Sequence, residues 1–284
     1  MTVRRPKWLI KKAPSAHVLT EIETLLDGLS LHTVCESARC PNIGECFARH
    51  TATFLLMGDI CTRNCSFCAV KKERPFPLDP DEPGNVVQAV KKLGLRHVVL
   101  TSVTRDDLPD GGAHHFAGVV GAIHSYDPQV TVEVLIPDFQ GSLSALEVIT
   151  TSHPAIINHN VETVPHLYPQ VRPQADYQRS LKLLKQVKSL AGDILTKSGL
   201  MVGLGERCEE VIQVMADLRE VGCDLLTIGQ YLRPSINHHE VVRFVPPQEF
   251  EEYRDIAVKM GFKSVASAPY VRSSFQADRM LQRI

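Results

Sequence analysis

The sequence contains no apolar run close to the roughly 18–20 residues that a helix needs to cross a bilayer. The formal net charge is only −1, and there is neither a basic block that suggests nucleic acid nor an acidic tail. The basic stretch at residues 1–12 lacks the apolar region and the cleavage site of a signal peptide. These absences predict a cytoplasmic protein that binds neither nucleic acid nor membrane.

The order of apolar segments predicts the fold. With 284 residues, the chain is long enough for one large α/β domain with a well-buried core. Strand-like segments alternate with amphipathic helical ones, which predicts a parallel sheet. These segments are 53–57, 97–101, 130–136, 155–159, 195–202 and 224–228, with 263–267 as a closing extension. A full eight-fold barrel needs ~250 residues, so six units predict a partial, splayed (β/α)6 barrel of the TIM type.

Six of the eight cysteines stand in two tight triplets, which in a chain of this length indicates metal binding rather than disulfides. Cys61, Cys65 and Cys68 have the spacing C-x3-C-x2-C, and no fourth cysteine follows at once. Three thiolates can hold a cubane iron–sulfur cluster and leave one iron open to chelate a substrate. Phe67 would shield such a cluster from water. Zinc is the alternative, although the spacing fits the paired C-x2-C hooks of a zinc ribbon poorly.

The second triplet, Cys35, Cys40 and Cys46, has the spacing C-x4-C-x5-C. Its segment has little periodic apolar content, so a metal cluster would supply the missing stabilisation. The first triplet resembles the signature of the radical S-adenosylmethionine (SAM) superfamily. Both triplets, together with Arg272-Ser273-Ser274, resemble the lipoyl synthase family from about residue 30 to the C-terminus. That family usually has Tyr after the serines, whereas this chain has Phe275, which lacks the hydroxyl but leaves the serine in place.

The resemblance implies two 4Fe–4S clusters and SAM as cofactors. Cys61, Cys65 and Cys68 would hold the cluster that binds SAM. Cys35, Cys40 and Cys46 would hold an auxiliary cluster, with Ser273 as its fourth ligand. An oxygen ligand matches iron less well than a thiolate and is released more easily. The implied organisation is an extension with the auxiliary motif at 1–50, the radical SAM barrel at 51–268, and a tail at 269–284 that closes the auxiliary cluster.

The implied activity is the insertion of two sulfur atoms at C6 and C8 of an octanoyl chain, amide-linked to a lysine of a carrier domain. A 5′-deoxyadenosyl radical would remove the hydrogens, and the auxiliary cluster would be consumed as the sulfur donor. Implied partners are octanoylated lipoyl domains of 2-oxoacid dehydrogenase E2 or the glycine cleavage H protein, a flavodoxin or ferredoxin as the low-potential electron donor, and an iron–sulfur cluster carrier. The protein itself is expected to be a monomer.

Two other classes stay open. One is another radical SAM sulfur-inserting enzyme, similar to biotin synthase or to a methylthiotransferase, and the spacing of the N-terminal triplet speaks against it. The other is a non-enzymatic iron–sulfur electron carrier or a zinc-binding interaction module. The repeated βα units and the missing fourth cysteine count against that second class.

Polar residues on the predicted strands are candidate contacts to SAM: Thr101, Ser102, Glu133, Asn158 and Lys197. A carboxylate such as Glu133 in an apolar strand is costly to bury unpaired. It would accept hydrogen bonds from a ribose, or form an ion pair with a neighbouring strand, for example with Lys197. Asn158, in the polar strand tip Asn158-His159-Asn160, would hold the cofactor or form a turn.

Five further features have modest interpretations. Arg105, Asp106 and Asp107 would order the loop after the second strand or line the site, and Arg233 would meet substrate or lie at the rim. Gly203-Leu204-Gly205 indicates a turn, because the third glycine of a dinucleotide motif is absent. Cys208 and Cys223 are interpreted as small semi-buried hydrophobic residues. His238 and His239 are interpreted as ordinary loop histidines.

Overall fold

The computed structural model describes residues 6–10, 16–37, 40, 42–48 and 53–281. The remainder of the basic stretch at 1–12, the other residues of the predicted extension at 1–50, and residues 282–284 of the predicted tail lie outside the described residues. The chain divides into two compact units. We call residues 12–63 with 69–157 the N-terminal unit, and residues 1–11, 64–68 and 158–284 the C-terminal unit. None of the described helices is long and apolar enough to span a membrane.

The N-terminal unit begins with a helix and continues as alternating strands and helices. Its elements are α1 (Ala16–Asp27), β1 (His32–Thr33), α2 (Val34–Ser37), α3 (Ile43–Ala48), β2 (Thr53–Leu56), α4 (Glu82–Leu93), β3 (His97–Ser102), α5 (Ala113–Tyr126), β4 (Thr131–Leu135), α6 (Leu143–Thr151) and most of β5 (Ile156–Asn158). The strands β2, β3 and β4 are parallel neighbours, whereas β1 pairs antiparallel with β2. The core of β3 is the continuous apolar run Val98–Leu100, as expected for a parallel strand covered on both faces.

The C-terminal unit continues the same alternation. Its elements are α7 (Tyr168–Val171), α8 (Tyr177–Leu190), β6 (Leu195–Val202), α9 (Cys208–Glu220), β7 (Leu225–Gln230), α10 (Pro247–Lys259), β8 (Ser264–Ser267) and α11 (Ala277–Leu281). The strands β6, β7 and β8 are parallel neighbours in that order. The carboxyl ends of β6 and β7 therefore lie at one edge of the sheet, beside the loops that follow them.

The strands predicted from the sequence are all present, with ends that shift by no more than two residues. The segment at 263–267 forms a paired strand, β8, and Gly94 ends α4 in a left-handed conformation with φ 61°. The antiparallel β1 and the short helices α2, α3, α7 and α11 were not predicted. They are too short to carry a readable apolar period, since each spans six residues or fewer. The predicted division into 1–50, 51–268 and 269–284 stays a prediction.

Candidate active site

The end of β3 offers one hydroxyl group for a ligand. Thr101 donates its hydroxyl to the carbonyl of Leu135 on β4 at 2.9 Å, so its proton is already used within the sheet. The Oγ atom of Ser102 is buried and has no hydrogen-bond partner among the described residues. A buried hydroxyl without a partner costs free energy. Ser102 is therefore better suited than Thr101 to receive a polar group of SAM.

Glu133 lies fully buried in β4, and its carboxylate is 3.7 Å from Nε2 of His97 on β3. The strand register pairs Glu133 with Val99, two residues beyond His97, so both side chains lie on the same face of the sheet. The sequence analysis considered an ion pair to a neighbouring strand, and the structure supplies His97 as a partner that it did not name. A contact from Glu133 to a ribose stays a prediction.

Backbone N–H groups donate hydrogen bonds to the sulfur of Cys61. The Cys61 N–H donates to the carbonyl of Lys71 at 2.8 Å, which fixes the loop after β2. The Cys61 Sγ accepts N–H groups from Arg63 at 3.4 Å and from Thr104 at 3.3 Å. Hydrogen bonds of this kind stabilise a thiolate and adjust the reduction potential of a cluster bound to it. The surroundings of Cys61 therefore fit an iron–sulfur ligand.

A buried arginine braces the same loop. Arg63 is 5% exposed and donates to Asp106 at 2.7 and 2.9 Å and to Asp138 at 2.5 Å. Burial alone would lower the pKa of Arg63, but the two carboxylates outweigh it and raise that pKa above its ordinary value. Arg105 forms its own pair with Asp107 at 2.8 Å. These ion pairs order the loop that carries Arg105, Asp106 and Asp107. Ordering this loop is one of the two roles predicted from the sequence.

In the C-terminal unit, residues around α7 hold the segment that carries Cys65 and Cys68. Ser66 donates its N–H to the carbonyl of Val171 at 2.9 Å and its hydroxyl to the carbonyl of Gln170 at 2.8 Å. Asn64 donates its N–H to the side chain of Gln174 at 2.5 Å. Phe67, between the two cysteines, is half-buried. These bonds fix the backbone on which the two thiols are carried.

Two histidines after β7 also form hydrogen bonds with this segment. His239 donates its N–H to the carbonyl of Ser66 at 2.9 Å, and its Nε2 donates to the carbonyl of Leu204 at 2.9 Å. His238 Nε2 lies 3.2 Å from the carbonyl of Cys68 and must donate to it, because a carbonyl only accepts. The sequence analysis missed this role of His238 and His239. No local signal reveals it, since 170 positions separate His238 from Cys68.

Asn158 and Lys197 lie on strands, as predicted. Asn158 is the last residue of β5, and Lys197 is the third residue of β6. Both are fully buried. A buried ammonium and a buried amide are retained only where polar groups compensate them. Their contact with SAM stays a prediction.

The second triplet lies in the N-terminal unit, with Cys35 in α2, Cys46 in α3 and Cys40 between the two helices. A hydrogen bond with the Cys46 side chain, burial, and the charges of Cys40 and Cys46 raise the pKa of the Cys35 thiol well above 9.0. The structure thus brings the three thiols close to one another. No set of three or more His, Cys, Asp or Glu side chains in the described part of the chain is arranged to hold a metal ion. The three cysteines still match a cluster, because bound iron would neutralise their thiolates.

Ser273 lies in the tail that follows β8, in the C-terminal unit. Its hydroxyl donates to Oδ1 of Asn160 at 2.9 Å, and Nδ2 of Asn160 donates to the Ser273 oxygen at 2.7 Å. The next turn closes with a bond from the N–H of Phe275 to the carbonyl of Arg272 at 3.0 Å. The serine is thus held by one defined partner. The sequence placed Asn160 in the polar tip of a strand but did not predict its pairing with Ser273.

The segment Gly203-Leu204-Gly205 is a turn, as predicted. Its three consecutive N–H groups all donate to the carboxylate of Glu206, at 2.6, 2.9 and 3.1 Å. Such a group of amides is a common anion site. Here the protein's own carboxylate occupies it, so these amides are not available to a phosphate.

The two cysteines outside the triplets differ from each other. Cys223 is fully buried, and burial raises the pKa of its thiol to about 12, which agrees with a small core residue. It lies in the turn after α9 rather than within the helix. Cys208 is a correction to the hydrophobic interpretation, because its thiol donates to Glu249 at 3.3 Å. Arg243 holds the same carboxylate at 2.6 Å, so Cys208 belongs to a polar cluster.

Comparison with known proteins identifies the class first. The sequence profile described as the Radical SAM superfamily matches residues 55–218, which is more than half of the chain. This range includes Cys61, Cys65, Cys68 and the strands from β3 to β6.

Curated relatives identify the family within that class. The lipoyl synthase of Caldanaerobacter subterraneus subsp. tengcongensis is 60% identical over 278 residues, covering 98% of this chain and 97% of that protein. The lipoyl synthase of Caldicellulosiruptor saccharolyticus is 54% identical over 278 residues, covering 98% of each chain. The chain therefore belongs to the lipoyl synthase family.

A solved structure supports the fold. The crystal structure of methylornithine synthase (PylB) superposes with a TM-score of 0.51 at 14% identity, covering 90% of this chain and 84% of that chain. At this identity the likeness concerns the fold alone. With the superfamily match, it confirms the predicted class, an α/β partial (β/α)6 barrel of the radical SAM type.

Proposed function

We propose that this chain is a lipoyl synthase that inserts two sulfur atoms, at C6 and C8, into an octanoyl chain bound to a carrier lysine. The observation that carries the proposal is the presence of two cysteine triplets in a chain that matches curated lipoyl synthases over nearly its whole length. One triplet suffices for SAM cleavage. A sulfur-inserting enzyme also needs a sulfur source, and the second triplet provides ligands for it.

Cys61, Cys65 and Cys68 would hold the first 4Fe–4S cluster and leave one iron for the amine and carboxylate of SAM. The N–H groups of Arg63 and Thr104 that point at the Cys61 sulfur support this role, because hydrogen bonds to a ligand sulfur adjust the reduction potential of a bound cluster. When bound, the two clusters supply one electron to SAM and sulfur to the substrate, respectively. The protein's own part is to keep the three thiols fixed and the site dry.

SAM would lie against the strand residues that the sequence predicts, Ser102, Glu133, Asn158 and Lys197. Ser102 is supported by its buried, unpartnered oxygen among the described residues. Thr101 is the weakest of the predicted contacts, because its hydroxyl already bonds to Leu135. Glu133 would accept hydrogen bonds from ribose hydroxyls, with His97 Nε2 3.7 Å from its carboxylate.

Cys35, Cys40 and Cys46 would hold the auxiliary 4Fe–4S cluster, with Ser273 as the fourth ligand. The interaction of the Cys35 thiol with both other cysteines supports a shared ligand set. A serine oxygen matches iron less well than a thiolate. This suits a cluster that is taken apart in each reaction.

The partners follow from the same activity. The substrates would be octanoylated lipoyl domains of 2-oxoacid dehydrogenase E2 or the glycine cleavage H protein. A flavodoxin or ferredoxin would deliver electrons, and an iron–sulfur cluster carrier would be a further partner. We also propose that the chain acts as a cytoplasmic monomer without nucleic acid, as its composition predicts.

The test has two parts. Anaerobically reconstituted protein is expected to contain about eight irons per chain, as two cubanes of four, and no zinc. Incubation with SAM, a strong reductant and an octanoylated carrier should then give 5′-deoxyadenosine and a lipoyl group, detected by mass spectrometry of the carrier. About four irons would contradict the sulfur-inserting function, and zinc without iron would contradict both clusters.

A further inference from the structure

The hydroxyl of Ser273 forms hydrogen bonds with both polar atoms of one side-chain amide, that of Asn160. Asn160 uses both ends of its side chain, since Nδ2 donates to the serine oxygen at 2.7 Å and Oδ1 accepts the serine proton at 2.9 Å. The same Nδ2 also donates to Glu162 at 3.0 Å, and the backbone carbonyl of Asn160 accepts from Arg172 at 2.8 Å. These further bonds fix the orientation of the amide. The donor therefore faces the serine oxygen at a defined place.

The tail that carries Ser273 packs against strands β6 and β7 at positions where glycine leaves no side chain in the way. Gly199 on β6 and Gly229 on β7 lie on one face, because the register pairs Gly199 with Thr227 and places Gly229 two residues further along β7. A Cβ atom at Gly199 would lie 2.5 Å from Thr227 Oγ1 on β7, 2.9 Å from Asn160 Oδ1 and 3.1 Å from Ser273 Oγ. Any side chain at this position would therefore press on all three. The close approach of the tail requires glycine here.

Backbone hydrogen bonds fasten the start of the tail to β7. The N–H of Ala268 donates to the carbonyl of Ile228 at 3.1 Å, and the N–H of Gln230 donates to the carbonyl of Pro269 at 3.2 Å. The sheet therefore fixes the start of the segment that leads to Ser273. The χ1 torsion of Ser273 can still vary, and the hydrogen bonds with Asn160 set the direction of its Cβ–Oγ bond.

We propose that Asn160 is a positioning residue for Ser273, and that its Nδ2–H group holds the serine oxygen ready as the fourth ligand of the auxiliary cluster. This inference rests on the proposed function. A ligand oxygen has lost its proton, and an N–H donor to an anionic oxygen forms a stronger, charge-assisted hydrogen bond than one to a neutral hydroxyl. Partners of this kind orient metal ligands, and their loss typically weakens metal binding by about 10–100-fold.

The experiment uses the full-length protein with Cys61→Ala, Cys65→Ala and Cys68→Ala, which leaves only the auxiliary cysteine triplet. After anaerobic reconstitution, iron per chain and the rate of iron release to a ferrous chelator are measured. Adding Asn160→Ala should speed iron release by about tenfold or more, and adding Ser273→Ala should speed it at least as much. Ser274→Ala is the matched control, because this neighbouring hydroxyl makes no side-chain hydrogen bond within the described residues, and it should leave the rate unchanged.

A positioning role also predicts coupling between the two residues. In the Ser273→Ala background, Asn160→Ala should cause no further acceleration, because its target is gone. Gly199→Ala, which keeps both polar groups but displaces them, should accelerate iron release in the same direction as Asn160→Ala. Thermal unfolding of the metal-free variants checks that each is folded. If Asn160→Ala is not folded, Gly199→Ala replaces it as the test of the positioning role.

Different outcomes would contradict the positioning role of Asn160 and the presence of the auxiliary cluster. A parent protein that binds no iron would overturn the auxiliary cluster and, with it, this inference. A parent with about four irons that loses them no faster after Asn160→Ala and Gly199→Ala would overturn the positioning role alone. The same would follow if Asn160→Ala accelerated release equally with Ser273 present and absent.

Discussion

His239 donates its backbone N–H to the carbonyl of Ser66, at 2.9 Å, in the middle of the segment between Cys65 and Cys68. The adjacent His238 bonds to the carbonyl of Cys68 at 3.2 Å, and its Nδ1 accepts from Ser235 at 2.8 Å. The loop after β7 therefore acts as a brace for two of the three cysteines of the first triplet. This relationship leads to the first prediction.

His238→Ala should reduce the stability of the first cluster, because the carbonyl of Cys68 loses its imidazole donor. We expect iron at this cluster to be released several-fold faster to a chelator, in line with the loss of an outer partner of a metal ligand. The measurement uses protein with the second triplet replaced by Ala. His124→Ala on α5 is the control and should behave as the parent. Equal release rates in both variants would show that the brace is dispensable.

Cys65→Ala should abolish SAM cleavage, because a cubane held by two thiolates alone is not retained. Formation of 5′-deoxyadenosine under reducing, anaerobic conditions is measured by chromatography. Cys223→Ala, which removes a buried thiol outside both triplets, should keep this activity. Persistent 5′-deoxyadenosine in Cys65→Ala would falsify the assignment of the first cluster.

Ser273→Ala should separate the two halves of the reaction. The first cluster is untouched by this change, so SAM cleavage should continue. Lipoyl formation on an octanoylated carrier should fall below detection, because the auxiliary cluster loses its fourth ligand. Ser274→Ala should form lipoyl groups at the parent rate. Full lipoyl formation in Ser273→Ala would remove this serine from the ligand set.

Arg63→Ala should lower the free energy of unfolding by about 3–5 kcal/mol, since it removes the cationic partner of the buried carboxylate of Asp138. Asp138 is 1% exposed, and Arg63 is its ion-pair partner at 2.5 Å. Urea unfolding of the metal-free, reduced protein gives this value. Arg254→Ala breaks an exposed pair with Asp255 and should change the free energy by less than about 1 kcal/mol. Similar losses in the two variants would show that burial of the Arg63 pair carries no weight.

The cluster of Arg243, Glu249 and Tyr253 should make stability depend on pH. The hydrogen bond from Arg243, together with that from Tyr253, lowers the pKa of Glu249 from 4.5 to about 2. A depressed pKa stabilises the folded state above the ordinary pKa and loses this effect as pH falls towards the folded one. The difference in unfolding free energy between the parent and Glu249→Gln should therefore be largest above about pH 4.5 and should shrink towards pH 2. A difference that stays constant across this range would contradict the ion pair.

The sequence by itself determined the longer strands and helices and both cysteine triplets. Strands such as 97–101 and 195–202 were predictable because apolar periodicity is a local property, set by neighbours a few residues apart. The triplets were predictable for the same reason, since their ligands lie within a dozen positions of each other. Ser273 was found only through its likeness to a family motif, since an Arg-Ser-Ser tail has no chemistry of its own.

Only the tertiary structure decided which distant side chains support these residues. Asn160 and Ser273 are 113 positions apart, and Arg63 and Asp138 are 75 apart. Thr101 and Ser102 look equivalent in the sequence, yet one hydroxyl bonds across the sheet and the other has no partner within the described chain. Such differences depend on strand register and on where each loop returns. No local pattern encodes them, because a hydrogen bond is sensitive to a few tenths of an ångström.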